Sequence, residues 1–342
     1  MKYARETRVG AETYRAAKVL AEALPWIKGA TGKTVVIKYG GSAMVDPDLR
    51  AQVMSDIVLL KIVGLNPVIV HGGGKAISAG FERYNIPVEF KNGLRVTTDE
   101  GMEVCRTILV GEVNQDLVRE INEHGNLAVG VSGVDGGTVV AEQISPDLGR
   151  VGRVTAINPN LVMEIIKADY IPVIAGVALG EDGGYYNINA DTVAGDIAAA
   201  IGAHKIIFLT DVDGLYQDFE DKDSLISNMT MDEAQGIIDV GATSSGMIPK
   251  LKSCITALEA GVERAHIING ITPHSLLLEL LTDSGVGTVV HRTKELYHSD
   301  GIPMGTFGPK SYYGESTPIG AFAQRLTENR YNRINGDPRE RR

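Results

Sequence analysis

The 342-residue sequence is short of cysteine, of positive charge and of long apolar runs, and each shortage excludes something. Two cysteines, Cys105 and Cys254, lie far apart, with no CxxC pair and no Cys/His spacing. They exclude a disulfide framework and a zinc finger, and a reducing, cytoplasmic setting is expected. Lys and Arg number 33 against 43 Asp and Glu, a formal net charge of −10. A general nucleic-acid binder needs a basic face, so no nucleic-acid partner is expected. The total says little about small anionic substrates, which respond to local lysines and arginines. No apolar run approaches the ~18 residues of a membrane span, and MKYARETRVGAETYRAAKVL lacks the continuous apolar core of a signal peptide, so no membrane partner is expected.

What the sequence does contain is glycine and alternation. Gly is 40 of 342 residues, with 44% apolar and 22% charged, the composition of an ordinary globular chain enriched in tight turns. Near-continuous apolar strands are predicted at 35–39, 67–71, 128–132, 171–176, 205–211 and 265–270. Helical spacing lies between them: 47–63, from about 75, 99–122, 159–169, 191–202, 230–240, 248–261 and 273–282. Buried strands separated by helices indicate an α/β chain, a three-layer αβα sandwich around a central, mostly parallel sheet. DGGYYNIN (182–189) has a Gly-rich turn leading into a short strand and reads as part of a hairpin.

At the front, Ala16, Leu20, Ala23, Leu24 and Ile27 recur at helical spacing, with Pro25 expected to kink the helix. This is either an amphipathic helix on its own domain or an arm packing on another subunit. From residue 293 to 342 the pattern fails in a Gly-, Pro- and polar-rich stretch, read as a mobile tail.

GKT at 32–34 imitates part of a phosphate-binding P-loop. Position 27 is Ile where that motif needs Gly, and here the strand follows the motif instead of preceding it. Two strand-to-glycine turns remain, VVIKYGG (35–41) and VIVHGGG (68–74). Ligands of parallel α/β sheets bind beyond the carboxyl ends of strands, where glycines let backbone N–H groups approach an anion. Lys38 at one strand end strengthens an anion-binding reading over plain turn geometry.

Lys250 falls in the first turn of a helix over 248–261, where the helix dipole disfavours a cation unless an anion sits nearby; a solvated lysine is the competing reading. Asp191 is placed as the N-cap of the helix over 191–202, and also as a carboxylate able to orient two lysines. TDVDGLY (210–216) is either a plain turn or a nucleotide contact. Thr230 and Glu233 form a capping box without functional weight. His71 is read as structural.

VVIKYGGSAM, VIVHGGGKAI, KNGLRVT (91–97), NINAD (187–191), TDVDGL and SGMIPK (245–250) occur in this order. From about Ala16 to Val290 the chain thereby closely resembles the amino-acid kinase family, in particular its branch acting on N-acetyl-L-glutamate. The resemblance implies the amino-acid kinase fold and ATP-dependent phosphorylation of the γ-carboxylate of N-acetyl-L-glutamate, with Mg²⁺ accompanying ATP, early in arginine biosynthesis. A glutamate 5-kinase-like activity and a catalytically silent arginine-sensing domain are the alternatives. It also implies an oligomer-forming or regulatory arm over 1–30, an acceptor-binding and dimerisation lobe over 31–190 and an ATP-binding lobe over 191–292.

By match to the family, Lys38 and Lys250 would stabilise the transferring phosphoryl group and Asp191 would hold both lysines. Gly40 and Gly41 would serve the ATP phosphates, joined on the nucleotide side by Thr210, Asp211, Asp213, Gly214, Leu215, Gly246 and Met247. Gly72, Gly73, Arg95, Asn187 and Asn189 would take the acceptor, with Arg95 on its α-carboxylate. No protein-bound metal site is expected. L-Arginine as inhibitor would occupy Asp283, Ser284, Gly285 and Gly287 in a homo-oligomer, a hexamer built as a trimer of dimers. Ser284 stands where the family often carries an acidic residue. A PII-type signalling protein is a further partner the resemblance allows.

Overall fold

A computed structural model describes residues 11–91, 93–218, 220–244, 246–282 and 285–292. The expected tail and the pair Asp283 and Ser284 lie outside the described residues.

The central sheet has eight strands. In chain order they are β1 (Thr34–Tyr39), β2 (Asn66–His71), β3 (Ala128–Ser132), β4 (Ile171–Ala175), β5 (Lys205–Thr210), β6 (Asn228–Thr230), β7 (Arg264–Asn269) and β8 (Thr288–His291). Their spatial order is β6-β8-β7-β5-β1-β2-β4-β3. Every pair from β7 to β3 is parallel, β8 runs antiparallel to β7, and β6 runs parallel to β8. The chain winds from β1 outward through β2, β3 and β4, then crosses to β5 on the other side of β1. The carboxyl ends of β1, β2 and β5 therefore meet where the winding reverses, the position at which open α/β sheets bind ligands.

The strands are apolar throughout because both faces are covered. Val35, Ile37 and Tyr39 pack into one core with Ile57 and Leu60 of helix Pro47–Ile62 and Leu117 of helix Gln115–Asn122. Val36, Val68 and Phe208 face the opposite core, against Ile197 of helix Ala190–Ala200 and Leu251 and Leu258 of helix Met247–Glu259. Successive strand residues point to opposite faces, so one short run feeds two cores. The expected three-layer sandwich is thus observed.

Two features go beyond the sequence reading. A four-stranded sheet joins Val139–Gln143, Gly152–Ile157, Val177–Gly180 and Tyr185–Asn187; its last two strands are the hairpin expected near 182–189. The segment expected as one helix over 99–122 is α-helical at Asp99–Arg106, π-helical at Thr107–Asn114 and α-helical again at Gln115–Asn122. The π-turn ends at Asn114, whose buried amide donates to His71 Nε2 at 3.0 Å and to the Val173 carbonyl at 2.9 Å. A buried amide requires such partners. Gly130 on β3 makes room for it, since a Cβ there would lie 2.1 Å from Asn114 Oδ1 and 3.0 Å from Val118 Cγ2.

Gly130→Ala should therefore destabilise the protein by ~1–3 kcal/mol, the usual cost of overpacking a filled site. Urea unfolding checks this: the midpoint should fall with the slope unchanged, and a midpoint equal to that of the parent would mean Asn114 is free to move aside.

Candidate active site

Lys38, Asp191 and Lys250 come from three separate elements. Lys38 is the penultimate residue of β1, Asp191 lies in the first turn of helix Ala190–Ala200, and Lys250 lies in the first turn of helix Met247–Glu259. Lys38 Nζ stands 3.0 Å from Asp191 Oδ1, and Lys250 Nζ stands 2.9 Å from Asp191 Oδ2. Burial works to raise the carboxyl pKa, but the charges and hydrogen bonds of Lys38 and Lys250 outweigh it and hold Asp191 below the ordinary aspartate value. The trio carries one uncompensated positive charge.

The expectation that Asp191 caps its helix is corrected. The N-cap is Asn189, whose side chain accepts from the backbone N–H groups of Asp191 at 2.9 Å and Thr192 at 3.2 Å. Asn189 has the extended backbone a cap requires, whereas Asp191 is already helical and its own N–H is one of those being capped. The division leaves both carboxylate oxygens of Asp191 for the lysines.

The two glycine turns meet beside this trio. Gly41 has φ +79, and a Cβ there would lie 2.5 Å from Asp211 Oδ1, so the turn requires glycine. Asp211 accepts from Ser42 N at 2.6 Å and from Ser42 Oγ at 3.1 Å, holding the turn after β1 against the end of β5. The Lys38 ammonium folds back over Gly40, 2.9 Å from where a Cβ would stand. Across from it, a Cβ on Gly73 would lie 2.7 Å from Leu109 Cδ2.

The other residues expected on the nucleotide side gather at the ends of β5 and β7 and the start of helix Met247–Glu259. Thr210 ends β5 and its carbonyl accepts from Gly270 N at 2.8 Å. Asp213 accepts from Tyr216 Oη at 2.5 Å and from Asn269 Nδ2 at 2.9 Å, and these bonds lower its pKa. Gly214 packs against Thr288, and Leu215 N donates to Thr288 Oγ1 at 2.8 Å. Gly246 precedes the helix, with its carbonyl 3.4 Å from Lys250 Nζ, and Met247 is buried in the core. The carboxylates of Asp211 and Asp213 are thus already engaged within the protein.

A cleft of about 580 Å³ runs from Lys38 and Asp191 past Gly72 and Gly73 to Arg95, Asn187 and Asn189. The Arg95 guanidinium lies between the rings of Phe81, 5.3 Å away, and Phe90, 4.6 Å away. Its Nη2 donates to the Gly74 carbonyl at 2.8 Å and to Ser78 Oγ at 2.7 Å. Its Nη1 is buried without a partner, and no carboxylate among the described residues pairs with the side chain. A buried guanidinium held flat, with one edge unsatisfied, suits a planar anion such as a carboxylate.

His71 is fully buried at the end of β2. Its Nδ1–H donates to the Gly72 carbonyl at 3.0 Å, and its Nε2 accepts from Asn114. Burial pushes its pKa down to about 4, so the ring is neutral and structural.

The sequence carries no signal for Arg150, which links segments expected to take the acceptor. Its N–H donates to the Thr97 carbonyl at 2.6 Å, and its own carbonyl accepts from Asn187 N at 2.9 Å. Its side chain reaches Asp99 at 2.5 Å and Asp182 at 3.1 Å. Thr97 Oγ1 in turn donates to the Arg95 carbonyl at 3.0 Å, so Arg150 ties the strands carrying Arg95 and Asn187 together. Of the residues expected to hold arginine, Gly285 and Gly287 are described. Gly287 packs β8 on β7, since a Cβ there would lie 2.2 Å from the Ile267 carbonyl oxygen.

Comparison with known proteins adds independent findings. The model of the amino acid kinase family matches residues 33–269. Acetylglutamate kinase of Caldanaerobacter subterraneus subsp. tengcongensis is 51% identical over 300 residues, 87% of this chain and 99% of that protein. Acetylglutamate kinase of Corynebacterium glutamicum is 48% identical over 297 residues, 85% of this chain and 92% of that protein. Two solved structures share the fold at low identity. N-acetylglutamate synthase from Neisseria gonorrhoeae superposes with a TM-score of 0.72 at 23% identity, over 81% of this chain and 63% of that one. Carbamate kinase from Giardia lamblia does so with a TM-score of 0.59 at 16% identity, over 77% of this chain and 100% of that one.

His71 makes the site pH-sensitive in a defined direction. Its folded-state pKa lies below its ordinary value of 6.5, so the unfolded chain binds the extra proton between those limits. Its contribution is complete above pH 6.5 and is lost as pH falls toward about 4. Replacing His71 with Asn should flatten the pH dependence of unfolding free energy in that window by up to ~1.4 kcal/mol per pH unit. Urea titrations at pH 4.5, 5.5 and 7 measure it; an unchanged slope would mean the ring is already protonated when folded.

Proposed function

This chain belongs to the amino acid kinase family and, within it, to the acetylglutamate kinases, and from that premise we propose how its cleft phosphorylates N-acetyl-L-glutamate. The reaction uses ATP, with Mg²⁺ accompanying it, and gives N-acetyl-L-glutamyl 5-phosphate and ADP, a step of arginine biosynthesis. The observation that carries the reading is the pairing of two anion sites in one cleft. Lys38 and Asp191, the latter also paired with Lys250, stand at one end, and Arg95 with its unsatisfied buried Nη1 stands at the other.

The chemistry fits these residues. A γ-carboxylate has an ordinary pKa near 4.3 and is ionised at neutral pH, so the nucleophile needs no general base. His71, neutral and tied to Gly72 and Asn114, is not required as one. The barrier comes from bringing two anions together and from charge on the transferring phosphoryl group. Fixed cations and backbone N–H groups in a water-poor site lower it, and Mg²⁺ supplies further neutralisation when ATP is bound. Arg95 orients the acceptor by its α-carboxylate, Asn187 and the Gly72–Gly73 turn flank its other end, and Lys38 and Lys250 flank the phosphoryl group. The acceptor then belongs to residues 31–190 and the nucleotide to 191–292, with the Gly40–Gly41 turn between them.

A coupled ADP-release assay tests the function: turnover should require the acetylated amino acid, and equal turnover of free glutamate would overturn the substrate. Lys38→Ala and Lys250→Ala should each lower kcat by about 10²–10³-fold with little change in acceptor KM, as for loss of a transition-state donor. Arg95→Ala should instead raise acceptor KM by roughly 10–100-fold, the range of a charged hydrogen bond; a near-normal KM would sink that assignment.

Arg150→Met removes the side-chain ion pairs with Asp99 and Asp182 and keeps the backbone bonds to Thr97 and Asn187. Those ion pairs are largely exposed and contribute at most ~1 kcal/mol, so the thermal midpoint should barely move and the KM values for acceptor and ATP should stay within about twofold. A several-fold rise in acceptor KM alone would show that the ion pairs, and not the backbone bonds, position Arg95 and Asn187.

A further inference from the structure

Lys75 follows the acceptor-side turn directly and lines the same cleft as Lys38 and Asp191. Its Nζ donates to Ser42 Oγ at 2.9 Å, and Ser42 is fastened to Asp211 through both its N–H and its hydroxyl. Three turns are thereby strapped together: the one after β2, the one after β1, and the one after β5. A second strap between these halves is the Lys38–Asp191–Lys250 trio itself.

The charges of the two straps differ. Lys38 and Lys250 share a buried carboxylate, whereas Lys75 is exposed, makes no ion pair with any carboxylate among the described residues, and has a neutral hydroxyl as its partner. It also lies in the first turn of helix Gly74–Arg83, where the dipole disfavours a resident cation and favours an arriving anion. An ammonium bonded to a neutral hydroxyl gains Coulombic attraction by moving to a phosphate oxygen, which carries negative charge. The lysine stem is long and freely rotating, so that exchange needs no backbone movement.

We propose that Lys75 is a third phosphate-contacting lysine of the transfer reaction. At rest it bridges the acceptor and nucleotide turns through Ser42. With nucleotide bound it leaves Ser42 and holds the terminal phosphoryl group, on the side facing the acceptor. This rests on the kinase reading above and adds a residue to it.

The test is calorimetric binding to the full chain of Mg²⁺ with a non-hydrolysable ATP analogue, and of MgADP, which lacks the terminal phosphoryl. Lys75→Met should weaken the analogue about tenfold, the loss of one charged hydrogen bond, and leave MgADP within about twofold. N-acetyl-L-glutamate affinity should stay within about twofold, kcat should fall, and Lys75→Arg should restore most of both losses. An unchanged ratio of the two nucleotide affinities overturns the proposal. So does equal weakening of both, which would confine Lys75 to supporting the Ser42 turn. If the parent protein binds the analogue but not N-acetyl-L-glutamate, the substrate reading fails while the nucleotide ratio still decides Lys75. Lys75 is exposed, so an unchanged thermal midpoint is expected as the folding control.

Discussion

Two lysines from separate elements can approach one point only if something between them carries negative charge, and Asp191 is that group. Its carboxylate is almost fully buried, and a buried charge is tolerated only when paired. Lys38 and Lys250 supply the pairing, and in return their repulsion is offset across 3.0 and 2.9 Å contacts. The arrangement needs the end of β1, the start of helix Ala190–Ala200 and the start of helix Met247–Glu259 to converge. Asn189 matters to it indirectly. By capping the first of those helices, it leaves the aspartate free to face the cations.

The glycine turns are the second condition. Gly41 adopts a backbone that other residues resist, and Gly73 sits where a side chain would strike Leu109. Both keep peptide groups close to the point where phosphoryl transfer is proposed. Behind them His71 works as a neutral linker, joining the Gly72 carbonyl to Asn114 and, through it, to β4. The proposed acceptor end has its own frame, with Arg95 over the rings of Phe81 and Phe90 and the Arg150 backbone tying its strand to that of Asn187. Rigid support of this kind holds reacting groups near attack geometry, where about an ångström of misplacement costs heavily in rate.

Much of this was legible in the chain. Six of the eight central strands appear as short β-branched or apolar runs, because strands buried on both faces need apolar residues at every position. β6 and β8 leave no such pattern: they are three- and four-residue segments next to loops, too short for a period. The four-stranded sheet escaped for a related reason, since strands such as Gly152–Ile157 carry exposed polar residues and little alternation. The π-turn at Thr107–Asn114 was invisible because its spacing is helical to within a residue; only the demand of Asn114 for buried partners marks it.

The candidate site divides in the same way. The sequence by itself determined the parts with local causes: glycines after strands, a lysine at a strand end, a lysine in the first turn of a helix, and the three-layer architecture. Tertiary structure alone decided which of them meet. That Asp191 bridges two lysines, that Asp211 serves Ser42, that Arg95 keeps one edge unsatisfied, and that Lys75 lines the cleft all depend on contacts between distant segments. Local patterns are set by backbone geometry and burial of neighbouring residues, whereas partner choice for a charge is set by what the folded sheet brings within about 3 Å.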